Sequence, residues 1–543
     1  MSTPVEKWLP SMPVTAGRLQ YMLERRSEAI TVASYGARGD GVSDAAPGIQ
    51  LALNAARDAG GGWVIVPAGT WLLSTLPLRI YSNTRLTLLP GAELRRNQSE
   101  TMLLNGDASQ NFGGYNGQSN ILIEGGLWNM RGTTAGLTGS AMCISIGHAS
   151  DITIRDLEVR DLPGFHAVEM NSTKRGTVQN CRFRGYIDPG GRDFSEAVQI
   201  DLAKSSGVFG GFGPYDHTPS EDILIQGCYF GASGTAGTTA WPRGIGSHSA
   251  TITKFHRRIR VIGNTFESVL QYGVSAYNWE DVTVTGNTFS SCGSGVRIRS
   301  VIVTDTEDTK DPAGNQTGAS QSIKNFAVAG NTFRFGGGYD EPIVALGETT
   351  GQILNLSITG NAIDTSASGQ NGIRTERVER FNITGNTISN IDGTAISMEN
   401  CVHGNVTGNE VYTPGSHGIT AVTCNHTSMT ANEIKYAGGN GILVQDGSDI
   451  HVRNNYVKAP GRSANATYYG IRLSTNASSI SLSGNKTRPN GSGNEAINGC
   501  AITNTCSLVH RYGNDWRGST WTSGAAFADT GSASPSTSAT DLT

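Results

Sequence analysis

The stretch ITGNTISNIDGTAISMENCVHGNVTGNEVYTPGSHGITAV, residues 383–422, repeats one short phrase at a fixed distance. The pairs Gly385-Asn386 and Gly408-Asn409 lie 23 residues apart, and each follows a short run in which apolar and polar residues alternate. Between the pairs stands a small residue followed by branched apolar ones. A period of 23 with two or three short strands is typical of a parallel β-helix, in which each period forms one coil.

The same phrase marks coils over much of the chain. Its asparagines are Asn264, Asn287, Asn331, Asn361, Asn386, Asn409, Asn432, Asn455 and Asn485, with spacings of 23, 44, 30, 25, 23, 23, 23 and 30 residues. Because coils stack at about 4.8 Å, a buried asparagine can bond to its counterparts in the coils above and below. We predict an internal asparagine ladder, which the thiols of Cys181 and Cys228 continue in the earlier coils.

Composition favours a solenoid and argues against several classes of partner. The chain has 543 residues, 71 of them Gly, and only 16% are charged, which suits tight-turned β structure better than helices. The net charge of −4, without runs of Lys or Arg, predicts no nucleic-acid partner. No apolar stretch is long enough to span a membrane, and the N-terminus lacks a secretory signal pattern. We therefore expect no membrane partner and no export by a standard signal.

The cysteines have neither the C-x-x-C spacing of a zinc site nor the density of a disulfide framework. They are Cys143, Cys181, Cys228, Cys292, Cys401, Cys424, Cys500 and Cys506. We predict that most are buried thiols, with Cys500 and Cys506 as a candidate pair.

The segment ITVASYGARGDGVSDAAPGIQLALNAARDAGGGWVIVPAGTW, residues 30–71, resembles the opening phrase of pectate-lyase-superfamily β-helices. The resemblance implies a right-handed parallel β-helix over residues 30–511. It also implies a capping helix at 46–59 that protects the first open strand edge. The apolar side chains that fit this helix are Ile49, Leu51, Leu53 and Ala56.

The two ends of the chain are predicted to differ from the solenoid. Residues 1–29 contain a helical pattern, with Leu19, Met22 and Leu23 on one side, and resemble the neck of bacteriophage tailspikes and appendages, where three chains meet. Residues 512–543 form a low-complexity tail. The resemblance implies a homotrimer in a virion or outside the cell, and a bacterial surface polysaccharide as the partner.

Interruptions of the repeat point to the functional face. The steps from Cys181 to Cys228, from Cys228 to Asn264 and from Asn287 to Asn331 are 47, 36 and 44 residues long, whereas later coils keep nearly bare spacings. Insertions in a solenoid map to loops on one face, often the binding face. We predict loops that wall a groove between residues 164 and 321.

The strands beneath these loops carry an unusual set of polar residues. Aligning FHAVEMN, SEAVQID, PRGIGSH, QYGVSAY and GSGVRIR places branched apolar residues in an inward column. The alternate and preceding positions hold acids, amides, imidazole, phenol and guanidinium. As catalytic residues we predict Glu169, Glu196, Asp201 and His248, and as substrate-binding residues Asn171, Gln199, Asp216, Trp241, Arg243, Tyr277, Arg297 and Arg299.

Glycoside hydrolysis is the first function that this set suggests. It needs one carboxylic acid and one carboxylate on the two sides of the scissile bond. Glu169 and Asp201 lie one coil apart and two positions out of step, so their Cβ atoms are expected about 8 Å apart. That distance falls within the inverting range of about 6.5 to 9.5 Å. Glu196 is an alternative partner, and Asp216 lies on an inserted loop.

Two other functions compete with hydrolysis. Lysis or epimerisation of a uronate would use His248, Tyr277 and Arg299 as base, acid and cation, although FHAVEMN lacks the clustered Tyr, Asp and His of the similar alginate epimerase modules. A non-catalytic receptor-binding spike would hold glycan on the aromatic faces of Tyr215, Trp241, Tyr277 and Trp279. The fold hosts all three functions. No cofactor or dense metal-binding loop is evident, and a calcium ion in the groove stays open.

Overall fold

A computed structural model describes residues 29–209, 212–335, 338–365, 369–530 and 541–543. These residues form the predicted parallel β-helix, in which each coil contributes one short strand to each of three parallel ladders. The predicted neck at residues 1–29, with Leu19, Met22 and Leu23, lies outside the described residues except for its last residue.

Ladder 1 contains the strand that precedes each asparagine. Its strands are Ile30–Thr31, Gly62–Val66, Thr84–Leu88, Ser119–Glu124, the second halves of Ile144–Arg155 and Val168–Gln179, Leu224–Gln226, His256–Ile262, Trp279–Thr285, Ile323–Ala329, Ile353–Thr359, Val378–Thr384, Val402–Thr407, Asn425–Thr430, Ser448–Arg453, Ser478–Ser483 and Ser507–Tyr512.

Ladder 2 contains the strand that follows each asparagine. Its strands are Asp40–Asp44, Gly69–Leu73, Ala92–Arg96, Leu127–Asn129, Glu158–Pro163, Arg182–Ile187, Tyr229–Gly231, Thr265–Glu267, Thr288–Ser290, Thr332–Phe335, Ala362–Thr365, Thr387–Ser389, Glu410–Tyr412, Glu433–Lys435, Tyr456–Lys458 and Lys486–Arg488.

Ladder 3 carries the predicted site. Its strands are Leu78–Ile80, Leu103–Asn105, the first halves of Ile144–Arg155 and Val168–Gln179, Glu196–Asp201, Arg243–Gly246, Tyr272–Tyr277, Ser294–Arg299, Ile343–Leu346, Ile373–Glu376, Ile396–Glu399, Ile419–Val422, Ile442–Gln445, Tyr469–Ser474, Asn498–Ile502 and Phe527–Asp529.

Helix α1, Ala46–Asp58, covers the N-terminal end of the solenoid as predicted. It buries Ile49, Ala52, Leu53 and Ala56, whereas Leu51, which we expected in the core, is 54% exposed. The 3.6-residue period explains the difference, because residues 49, 52, 53 and 56 share one face of a helix and residue 51 does not. A 3₁₀ turn at Val32–Tyr35 precedes the helix.

The asparagine ladder is present and runs through the solenoid. Asn409 shows the pattern: its Nδ2 donates to Oδ1 of Asn432 at 2.9 Å, and its Oδ1 accepts from Nδ2 of Asn386 at 2.9 Å. Cys181 and Cys228 continue the column, since the backbone N–H of Cys181 faces Sγ of Cys228 at 3.5 Å. The residue before each ladder asparagine turns with positive φ, as in Gly385 at 62°, which is why glycine recurs there.

The interior is a set of stacked side chains. Five phenylalanines form a column with ring centroids 4.7 to 5.2 Å apart, namely Phe183, Phe230, Phe266, Phe289 and Phe333. All eight cysteines are free and buried, so Cys500 and Cys506 do not pair. None of the helices that the structure describes is both long and apolar enough to cross a membrane.

Candidate functional site

The strands of ladder 3 have the register that the aligned motif predicts. Val168 pairs with Val198, Val198 with Ile245, and Ile245 with Val274. The same pairing places Glu169 beside Gln199 and Asn171 beside Asp201. The pleat therefore brings the predicted polar residues to one face of ladder 3 on neighbouring coils.

Two inserted segments cover this face. The segment 202–222 begins with helix α2, Ser206–Phe209, and is tied to an earlier coil by His148. The His148 ring contacts the carbonyl oxygens of Gly114 and Pro214 at 2.7 and 2.8 Å. The segment 300–322 is held by Asp308, whose carboxylate accepts from Lys204 Nζ at 2.6 Å. These two walls bury residues that the sequence alone would leave on an open groove.

A Glu196-His248 pair lies at the centre of the site. Nδ1 of His248 donates to Oε2 of Glu196 at 2.9 Å, and Nη1 of Arg243 donates to Oε1 at 3.2 Å. His166 donates through Nδ1 to the backbone oxygen of Glu196 at 2.8 Å. Glu196 is fully buried, while the His248 side chain is 23% exposed. The carboxylate thus orients the imidazole, and the imidazole reaches solvent.

Electrostatics favour opposite charges on this pair. Burial alone would raise the pKa of Glu196, but His248 and Arg243 outweigh it and hold that pKa well below its ordinary range. Burial alone would lower the pKa of His248, but the Glu196 carboxylate outweighs it and the pKa is raised. His166 lacks such compensation, and burial lowers its pKa to about 3. His248 is therefore the group equipped to exchange protons near neutral pH.

Asp201 lies behind His248 and is out of contact with solvent. Gln199 connects the two, with its Nε2 3.2 Å from Asp201 Oδ2 and 3.3 Å from His248 Nε2. On the other side His256 Nε2 lies 4.0 Å from Asp201 Oδ1. Burial raises the pKa of Asp201 to about 7 and lowers that of His256 to about 3. Sequence reasoning missed His256, because its strand reads as an ordinary alternating one.

Glu169 belongs to a separate cavity, which we call the side pocket. It is lined by Arg79, Thr101, Leu104, Ala108, Met142, Ser145, Glu169, Phe209 and Phe212 and encloses about 310 Å³. Glu169 accepts from Asn171 Nδ2 at 2.9 Å, contacts Ser145 Oγ, and is 3% exposed. Burial raises its pKa to about 7. Glu169 and Asp201 thus do not face each other across one open groove.

The open part of the site is a cleft of about 480 Å³, which we call the His248 cleft. Its lining consists of Asp193, Phe194, Arg243, His248, Gln271, Tyr277, Arg297, Ile302, Asp305, Asp308 and Tyr339. Arg297 contacts Ser275 Oγ at 2.8 Å and lies 4.6 Å from the centroid of the Tyr272 ring. Its buried Nε has no hydrogen-bond partner, and no described carboxylate lies within ion-pair distance of it.

Four residues predicted to bind substrate have other partners. Trp241 is fully buried in the core, so its ring offers no face to a ligand. Tyr277 is 3% exposed and donates to Asp308 Oδ2 at 2.8 Å. Asp216 accepts from the backbone of Gly114 at 2.7 Å and so anchors its loop instead of reaching over the cleft. Arg299 is paired with Glu348.

A metal ion could be held by one group of described residues. Ligand atoms of His166, Glu196 and His248 lie within 4.8 Å of one another. The present contacts fit proton exchange better, since both imidazoles already donate to Glu196 and Arg243 supplies its countercharge.

Comparison with known proteins places this site in a family. The family described as "Rhamnogalacturonase A/epimerase, pectate lyase-like" matches residues 29–297, and "Right handed beta helix region" matches residues 314–487. The chain is a right-handed β-helix of the pectate-lyase-like superfamily. The first match ends at Arg297 and so contains most of the site of this pectate-lyase-like chain.

Relatives of this pectate-lyase-like chain differ in what they are named for. The plasmin and fibronectin-binding protein A of Streptococcus pneumoniae is 30% identical over 51% of this chain and 41% of its own length. The mannuronan C5-epimerase AlgE4 of Azotobacter vinelandii is 31% identical over 27% of this chain and 29% of its own length. A solved structure of the pneumococcal adhesin PfbA has a TM-score of 0.57 at 22% identity, covers 79% of this chain and 96% of that one, and shows the fold.

The chain therefore spans less than half the length of the curated relatives it matches. The tailspike resemblance, the trimer and the virion stay predictions.

Proposed function

We propose that this chain binds an acidic polysaccharide in the His248 cleft and that His248 exchanges the C5 proton of a uronate residue. Arg297 is the observation that carries the proposal. A buried guanidinium with an unpartnered Nε and no acidic partner in the described part of the chain needs an anion, and a uronate carboxylate supplies one. Burial, reinforced by the neighbouring Arg243, lowers the pKa of Arg297, so an added carboxylate relieves a real repulsion.

The proposed step follows from the orientation of His248. Glu196 holds the Nδ1 proton, which leaves Nε2 with a lone pair for the proton on C5. The electron pair of the broken C–H bond moves into the uronate carboxylate, where Arg297 and Arg243 stabilise the charge. Return of a proton to the other face gives the C5 epimer. Departure of the C4 oxygen, which takes a proton, gives elimination.

Hydrolysis is the second candidate. It receives less support, because Glu169, Glu196 and Asp201 are all at most 3% exposed and cannot face a glycosidic bond in the cleft. Asp193 and Asp305 line the cleft and are the acids that hydrolysis would have to use. A third candidate, favoured by the similarity to the pneumococcal protein, is binding without chemistry on a cell or particle surface. We infer an extracellular location in each case.

One experiment separates these functions. Alginate and polygalacturonate are incubated with the chain in D₂O, and the products are analysed by NMR, by ultraviolet absorbance of the unsaturated uronate, and for reducing ends. Deuterium at C5 supports the proposal, and absorbance then distinguishes elimination from epimerisation. Reducing ends without deuterium or absorbance favour hydrolysis. Binding with none of these changes favours a passive receptor-binding role.

Matched variants locate the activity. His248→Ala is expected to abolish C5 exchange, by at least about 10²-fold, while the control His403→Ala, on an exposed part of ladder 1, keeps it. Arg297→Met is expected to weaken polyuronate binding, whereas Arg334→Met, an exposed arginine of ladder 2, is not. Equal activity of His248→Ala and His403→Ala would contradict the assignment of the base.

A further inference from the structure

We propose that the side pocket binds a short acyl group, such as acetyl, on a sugar about two residues away from the one at His248. The inference rests on the proposed function only in assuming a bound polysaccharide, since the pocket and its chemistry are separate from the His248 cleft. It assigns to this chain a second determinant of specificity.

The walls of the side pocket are apolar and firmly held. Phe209 and Phe212 come from the segment 202–222 and pack with Ala203 and Leu104. Gly147 makes their approach possible, because a Cβ there would lie 2.7 Å from the Phe212 ring. His148 packs edge-on against Phe209 at 4.8 Å between centroids. The cavity is therefore built by docked side chains and has a defined shape.

The polar groups of the side pocket lie at its floor and end. Ser145 and Glu169 contribute a hydroxyl and a carboxyl, and burial keeps Glu169 partly protonated near neutral pH. Arg79 uses one nitrogen to donate to the Gly106 carbonyl at 3.0 Å and has further N–H groups. These groups suit one acceptor oxygen on an otherwise apolar ligand.

An acyl group matches this distribution better than a bare sugar. Its methyl group would pack against Leu104, Phe209 and Phe212, and its carbonyl oxygen would accept from the polar end. An unsubstituted sugar would bury hydroxyl groups against the aromatic walls without partners, which costs roughly 1 to 3 kcal/mol for each group. A volume of about 310 Å³ is at the small end of ligand sites and suits a substituted sugar unit.

The side pocket lies in line with the His248 cleft. Glu169 pairs with Gln199 on the next strand, and Gln199 contacts His248 from the coil after that. Two strand spacings correspond to about 9.5 Å, which is close to the length of a disaccharide. A polysaccharide that runs along the solenoid axis therefore reaches both sites at once.

The test uses small probes and saturation-transfer NMR. N-acetylglucosamine, 6-O-acetylglucose and glucose are compared, so that amide and ester sources of the acyl group are distinguished. We expect saturation of the acetyl methyl protons with one or both acetylated probes, and weaker binding of glucose by about tenfold. Ring saturation without methyl saturation, or equal binding of glucose, would overturn the proposal.

Variants show whether the signal comes from the side pocket. Ala108→Trp fills the pocket from its exposed rim and is expected to remove methyl saturation, whereas Ala232→Trp, at an exposed site elsewhere, is not. His248→Ala is expected to leave the methyl signal unchanged, so failure of the proposed chemistry and failure of this inference give different results. If Ala108→Trp and Ala232→Trp give the same methyl signal, the side pocket is not the site.

Discussion

Removing one rung of the asparagine ladder gives the sharpest test of what holds the solenoid together. Asn409 takes part in four buried hydrogen bonds. Its Oδ1 accepts from the backbone N–H and Nδ2 of Asn386 at 3.0 and 2.9 Å, and its Nδ2 donates to Asn432 Oδ1 and to the Ile383 carbonyl, both at 2.9 Å. Asn409→Ala removes all four and leaves two buried donors of Asn386 unsatisfied.

The size of the effect follows from those contacts. An orphaned buried donor costs about 1 to 3 kcal/mol, so two of them together with the lost acceptors and the small cavity amount to about 3 to 5 kcal/mol. The control is Asn405→Ala in the same strand, where the exposed Asn405 donates only to Asn382 Oδ1 at 3.1 Å. Its loss is expected to stay within about 0.5 kcal/mol.

Amide hydrogen exchange measured by mass spectrometry is the assay, because a long solenoid can open locally without global unfolding. Peptides that cover residues 383–390 are expected to exchange about 10²- to 10³-fold faster in Asn409→Ala than in the natural chain. Asn409→Cys is expected to fall between, since Cys228 already accepts from a backbone N–H in this column. Equal exchange in Asn409→Ala and Asn405→Ala would refute the reasoning.

Three further predictions concern the site. Glu196→Gln removes the charge that raises the pKa of His248, so the acid limb of the pH–rate profile should move to lower pH, which steady-state kinetics across pH measures; an unmoved limb would contradict the pairing. Glu169 and Asp201 have folded pKa values of about 7, above unfolded values of about 4, so the folded state binds extra protons between those values and stability should fall as pH rises through that window by up to about 1.4 kcal/mol per pH unit for each group. Urea unfolding at pH 5 and pH 8 should show a smaller difference in Glu169→Gln and Asp201→Asn than in the natural chain, and an unchanged difference would refute the shifts. Gly147→Ala should lift Phe212 and speed exchange in residues 203–209, while Gly207→Ala, whose added Cβ meets nothing closer than 3.9 Å, should not.

Much of the fold could be predicted because a solenoid writes its contacts into a short period. Ladder asparagines such as Asn386 and Asn409 repeat at the coil length, and each touches mainly its counterparts in neighbouring coils. The alternation of Val198 and Ile200 likewise predicts the core directly. Register on ladder 3 follows from the same alignment, which is why Glu169 was placed beside Gln199 correctly.

The site was less predictable because its environment comes from residues distant in sequence. Arg297 and Arg299 stand on one strand with the same outward alternation, yet Glu348 from the next coil pairs with Arg299 and leaves Arg297 without an acid. Trp241 lies in an inserted region and read as an exposed aromatic ring, but it packs in the core. No local pattern signals either outcome.

By itself the sequence determined the coil period, the ladder of asparagines, the inward columns and the set of polar residues on one face of ladder 3. These depend on near-neighbour stacking, which a repeat of 23 residues encodes directly. Only the tertiary structure decided which polar residues reach solvent. The segments 202–222 and 300–322 fold back over ladder 3, bury Asp201 and Glu196, and leave His248 and Arg297 at the cleft, because burial and countercharge depend on contacts that cross many coils.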